Sequence, residues 1–232
     1  MPSIDTPLGP DSGRRRILAA LQAALVVGAV GVAAADRRGR RAGLVAAATT
    51  STVAVPYAAA VARLGPYESS GRGLARWLVD STWSAPNTLA GAVFYLWERA
   101  RGNAERPERC CGTGSIWLER PAIAGYATTI GIVKAGSSER IDAHEEVHVR
   151  QARLLGPLYL PLVALDFVLA TVLPFWLWER DRPPITGIRD YFHRGVYRAV
   201  WHERWAYAVA PTDRRPPPVV DGAEWAQQDS NL

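Results

Sequence analysis

Residues 144–148 read His-Glu-Glu-Val-His, the pattern H-E-x-x-H, in a chain with four histidines. On a helix, positions i and i+4 lie one above the other on the same face, so His144 and His148 can bind one metal with Glu145 alongside. That set suits a zinc ion that activates water and a carboxylate base that takes its proton. The flanking residues predict the helix this chemistry needs. Ser137, Ser138 and Asp142 are candidate N-caps, Glu139 puts an acid in the first turn, and residues 151–155 continue without a breaker until Gly156-Pro157. A helix of about 15 residues results, with Val147, Ala152 and Leu155 as its apolar anchors. A plainer explanation makes this the solvated face of an amphipathic helix, carried by Glu146, Arg150 and Arg153. The scarcity of histidine weighs against it.

A catalytic zinc takes three protein ligands and leaves a position for water, so a third side chain must come from elsewhere. The donors downstream are Asp166, Glu179, Asp181, Asp190, His193, His202 and Glu203. Asp166 lies in an apolar run, and Glu179 and Asp181 lie in an arginine-rich stretch. Residues 188–210 read as a helix rich in aromatic residues, in which Trp201 and Trp205 flank His202 and Glu203. Glu203 is the favoured third ligand, His202 comes next and His193 follows. For the two histidines the alternative is a hydrogen bond within a helix packing surface. Tyr191, Tyr197, His193 and His202 are unranked candidates for a donor that stabilises an oxyanion.

Residues 144–161, HEEVHVRQARLLGPLYLP, resemble a group of poorly characterised bacterial membrane-associated zincin-like proteins with the pattern H-E-x-x-H-x-x-Q followed by L-G-P-L-Y-L-P. Thr82-Trp83-Ser84-Ala85-Pro86-Asn87-Thr88-Leu89-Ala90-Gly91 resembles that group's W-S-x-P-N-T-x-x-G element, and Glu203-Arg204-Trp205-Ala206 its E-K-W-A segment. The three matches cover roughly residues 80–210 in one order. The resemblance implies zinc held by His144, His148 and Glu203, with Glu145 as base, in a metallopeptidase-like hydrolase at the bacterial inner membrane. The chain departs from the pattern inside the motif, where the group carries an aromatic residue and then Gly and this sequence has Glu146 and Val147. Glu146 sits about 100° around the helix from Glu145 and is expected to face away from the metal.

The remaining elements place this chemistry. Residues 17–35 are uncharged and rich in Leu, Ala, Val and Gly, preceded by Arg14-Arg15-Arg16, and are long enough to span a bilayer. They also resemble an export signal with Ala33-Ala34-Ala35 as cleavage site. Arg37-Arg38-Gly39-Arg40-Arg41 resists translocation and favours an uncleaved membrane helix. A second, weaker span over residues 42–62, with Pro56 as a kink, would complete a hairpin. A third apolar run, residues 158–178, has Tyr159 and Trp176 to Trp178 at its ends and Asp166 inside, so it is a span, a re-entrant segment or a buried core helix.

Residues 82–100 read as an amphipathic or interfacial helix. Residues 109–136 hold two to four short strands. The zincin resemblance implies that an edge strand of such a sheet holds an extended peptide by β-addition, and the plainer alternative is an ordinary packed sheet. Adjacent Cys110 and Cys111 read as reduced buried thiols rather than a disulfide framework. The net charge of +5, from 27 Lys+Arg against 22 Asp+Glu, is arginine clustered at span ends, which favours a lipid bilayer and disfavours nucleic acid as partner. The expected fold is α+β and mostly helical. It comprises a tail over 1–16, one or two membrane helices over 17–62, a zincin-like core with a small β-sheet over 80–210 that includes an apolar membrane-associated helix at 158–178, and a disordered tail over 211–232. The alternative to a zinc-dependent peptidase acting on peptide or protein substrates is a membrane scaffold with a structural or degenerate zinc site.

Overall fold

The computed structural model describes residues 12–180 and 185–211, so Asp181 and the tails before Ser12 and after Pro211 lie outside the described residues. The chain is mostly helical with one small sheet. It divides into two compact units, Met1–Leu162 and Val163–Leu232.

In the first unit α1 (Ser12–Arg38) and α2 (Arg40–Leu64) form the helical hairpin, joined at Gly39. Helix α1 thus takes in residues 12–16 of the expected tail. Gly43 is buried where a Cβ would lie 2.6 Å from that of Ala35. Small residues there let two apolar helices approach closely enough for backbone van der Waals contact. The hairpin is anchored to α3 (Gly71–Ser81), a helix the sequence reading did not assign. Ser70 caps α3 through the Gly73 N–H, and the Trp77 indole N–H donates to the Leu18 carbonyl. Helix α4 (Ala85–Ala100) follows and packs Tyr95 edge-on against Tyr57 of α2.

Three short strands form one sheet in the order β1-β3-β2. Strand β1 (Ile116–Leu118) runs parallel to β3 (Val133–Ala135), and β2 (Thr128–Ile130) pairs antiparallel with β3 and lies at the edge. Cys110 and Cys111 are free, as expected, but only Cys110 is buried. Its Sγ accepts the Trp117 N–H, and burial pushes the thiol up to about 11, so it is held as an inert thiol.

Helix α5 (Glu139–Leu155) carries the H-E-x-x-H residues and is 17 residues long. A single turn at residues 156–158 leads into α6 (Tyr159–Val172), which carries the chain into the second unit. Pro174 cannot continue a helix, so α6 stops at 14 residues rather than running to Trp178. At about 21 Å it is shorter than the ~30 Å hydrocarbon core. With α5 it forms one of three helical stretches long and apolar enough to cross a membrane, the others being Ser12–Arg38 and Arg40–Leu64.

In the second unit the helix expected over 188–210 is broken. A π-helical segment, Tyr191–Val196, precedes a break at Val200, after which α7 (Trp201–Val209) begins. Trp176 explains part of this. Its indole donates to the Ala170 carbonyl, and its ring lies where a Cβ on Gly195 would come within 2.1 Å, so only glycine fits against it.

Candidate metal centre

Helix α5 is fixed to the sheet by its polar residues. The chain's one lysine, Lys134 on β3, is 2% exposed and donates to Asp142 at 2.9 Å and Glu146 at 3.1 Å. Ser115 adds a hydroxyl donor to Glu146, and the Lys134 ammonium lies 5.2 Å from the centre of the Trp117 ring. The second glutamate of the motif is therefore engaged in an ion pair with a buried lysine of the sheet.

His144, Glu145 and His148 are all buried. The imidazole Nε2 atoms of His144 and His148 face each other at 3.3 Å, with their ring planes 80° apart. Two nitrogens bound at about 2.0–2.1 Å to one tetrahedral zinc are separated by about 3.3–3.4 Å. The pair therefore has the spacing of one edge of a zinc site. His148 Nδ1 lies 3.0 Å from Gln151 Oε1, which also accepts from the Tyr159 hydroxyl. An amide oxygen can only accept, so Nδ1 carries the proton and the Nε2 lone pair is left for a metal. Glu145 is oriented as well, its Oε2 accepting the Thr129 hydroxyl of edge strand β2 at 2.5 Å.

The far end of α5 is held by the Trp-Ser-Ala-Pro-Asn segment. The last carbonyls of a helix lack intrahelical donors. Ser84 Oγ and Asn87 Nδ2 donate to the Ala152 carbonyl at 3.0 and 3.1 Å, Asn87 Nδ2 also reaches the Gly156 carbonyl at 2.7 Å, and the Trp83 indole donates to Leu154. Gly156 has φ 54°, and a Cβ there would lie 2.3 Å from the Trp83 ring, so both conformation and contact require glycine. One turn earlier, Arg153 makes a bidentate pair with Asp80 of α3 and donates to the Gly114 carbonyl, while Tyr67 donates to the same carboxylate. Burial pushes the Asp80 carboxyl above its usual range, against the opposing pull of Arg153 and Tyr67.

In the second unit α7 presents His202 and Glu203, each 5% exposed. Among the described residues, His144, His148 and Glu203 form a buried group that could hold a metal ion. The other expected donors have separate tasks. Asp166 accepts the Trp201 N–H, Glu179 pairs with Arg204, and Asp190 pairs with Thr186 and Arg194. His202 packs its ring on Phe167, and burial together with the charge of Arg189 pushes the His193 imidazole down. Of the candidates for an oxyanion donor, Tyr191 has its hydroxyl directed to the Thr171 carbonyl.

Sequence reasoning gave no role to Gln151, Thr129 or Lys134. Gln151 stands at i+3 from His148 on one helix face, a signal that was available. Thr129 and Lys134 reach α5 only through the tertiary fold. Gln151→Leu is expected to weaken zinc binding by roughly 10–100-fold, the usual cost of losing the partner that orients a histidine ligand. Chelator competition measures this, and an unchanged affinity would show that Gln151 does not set the His148 tautomer. Comparison with protein-family models, curated proteins and solved structures gives no match for this chain.

Proposed function

We propose that this chain is a membrane-associated, zinc-dependent hydrolase of acyl bonds, with peptides as substrates. In this reading His144, His148 and Glu203 hold the ion and Glu145 is the general base. The observation that carries it is the facing pair of Nε2 atoms at 3.3 Å, with one histidine's tautomer set by Gln151 and a hydrogen-bonded carboxylate next to the other. When bound, zinc lowers the pKa of water to about 7 and polarises a carbonyl. Glu145 takes the proton from the attacking water and returns it to the leaving amine. The Thr129 hydroxyl keeps that carboxylate in one orientation. Thr129 also lies on the edge strand β2, and an extended peptide paired there would bring its backbone beside the base.

The test begins with metal content of detergent-purified chain and continues with cleavage of a peptide mixture by wild type and Glu145→Gln. One zinc per chain is expected, with cleavage reduced roughly 10²–10⁴-fold in the variant while zinc is retained. A zinc-replete preparation without metal, or equal cleavage by both proteins, would overturn the proposal. The near-complete burial of His144, Glu145, His148 and Glu203 favours a second reading, a purely stabilising zinc. Under it, chelation would unfold the chain and no cleavage would depend on Glu145.

A further inference from the structure

Asp166 is the one acidic or basic residue of α6, whose sequence is otherwise apolar apart from Tyr159 and Thr171. Its Oδ2 accepts the backbone N–H of Trp201, the first residue of α7, at 2.6 Å. The N-cap of α7 is Val200, whose side chain makes no cap bond. The first N–H groups of a helix have no intrahelical acceptor, and a carboxylate among them also meets the positive end of the helix dipole. The next residue of α6, Phe167, places its ring edge-on against His202 at 5.3 Å and stacks on Phe192 at 6.1 Å. Two consecutive residues of α6 thus grip the first turn of α7, one by a charged cap and the other by ring contact.

A carboxylate in so apolar a helix is costly. Local stability of α7 does not call for it, because Ser, Thr or Asp at the N-cap position 200 would cap the helix locally. What a cap supplied from α6 adds is registration of α7 against α6. His202 and Glu203 are the second and third residues of α7.

We propose that Asp166 is a positioning residue for the metal centre, fixing the first turn of α7 so that Glu203 is presented as a ligand. This rests on the reading of His144, His148 and Glu203 as the zinc site. The test measures zinc affinity of the full detergent-purified chain by competition with a chromophoric chelator. The variants are Asp166→Leu and Asp166→Asn, each alone and combined with Glu203→Gln. Asp166→Leu is expected to bind zinc roughly 10–100-fold more weakly. Asp166→Asn, whose amide oxygen can still accept the Trp201 N–H, is expected to recover most of that loss. In the Glu203→Gln background Asp166→Leu should cost nothing further, because the ligand it positions is already gone. Unchanged affinity in a folded Asp166→Leu chain overturns the inference alone. So does an equal loss in both backgrounds, which would assign Asp166 to the fold in general. A wild-type chain that binds no zinc overturns the metal reading and this inference with it. If Asp166→Leu does not fold, Asp166→Ser, whose hydroxyl is too short to reach the Trp201 amide, carries the same expectations.

Discussion

His148→Ala is expected to leave the purified chain without zinc. Zinc in small protein sites is bound with about 10–16 kcal/mol, which over four coordination positions assigns each roughly 2.5–4 kcal/mol. Losing one ligand then weakens binding by a factor of roughly 100 to 1,000. His148 contributes more than a nitrogen, because its Nδ1–H bond to Gln151 orients the ring and sets which nitrogen is free. The fold should survive the change. Gln151 keeps its bond from Tyr159, and both ends of α5 are held by contacts that do not involve His148. Mass spectrometric metal content with circular dichroism of the same samples decides the matter. A folded His148→Ala chain that retains one zinc would place the metal elsewhere.

The part of this site that was legible in the sequence is the part confined to one helix. The spacing of His144 and His148, the acidic first turn and the Gly156-Pro157 stop all act within one or two turns, and α5 forms over 139–155 as they require. Residues 188–210 carry no such stop, yet the helix breaks at Val200. The causes are tertiary: the Trp176 ring against Gly195 and a carboxylate of α6 at the start of α7. Helix α3 was missed for a related reason. Its Gly71 and Gly73 are poor helix formers, and the segment is held by the Ser70 cap and by the burial of Trp77 and Asp80. The expectation that Glu146 faces away from the metal followed from the 100° step of a helix. Its partner, Lys134, lies twelve residues away on a strand whose alignment with α5 no local rule supplies.

Trp83, Ser84 and Asn87 illustrate how sequence can mark a segment without revealing its task. They entered as part of a resembled motif, and the structure makes them the C-terminal cap of α5. A histidine pair one helical turn apart keeps its spacing only while the helix between and beyond it is intact. Capping the last carbonyls from α4 and its approach keeps that end of α5 from fraying, and Lys134 does the same for its other end through Asp142 and Glu146. The polar residues around α5 thus stiffen the helix that presents the ligands, and the bond from Thr129 does so for the base.

The same logic makes Arg153→Leu the most destabilising single change expected outside the ligands. Arg153 meets a carboxylate that is 1% exposed, through hydrogen bonds of 2.9 and 3.0 Å. Removing Arg153 leaves Asp80 a buried charge without its counter-ion, held only by the Tyr67 hydroxyl, a cost of about 3–5 kcal/mol. For a chain of this size that lowers the unfolding midpoint on the order of 10 °C. The pH dependence has a definite sign. Burial already holds the folded-state pKa of Asp80 above its usual range, and Arg153 opposes that rise. Without Arg153 it climbs further. Stability linked to a raised pKa is fully present below the unfolded value and is lost as pH rises through the folded value. The deficit of Arg153→Leu should therefore be largest at neutral pH and shrink on acidification, as Asp80 takes up a proton. Combining Arg153→Leu with Asp80→Asn should recover part of the loss at neutral pH, since the pair then leaves no unpaired charge behind, and should remove the pH dependence of the deficit. Thermal unfolding of the detergent-solubilised chains across that range is the measurement. A deficit that stays constant with pH, or a double variant no more stable than Arg153→Leu, would show that the pair stabilises α5 by packing rather than by charge.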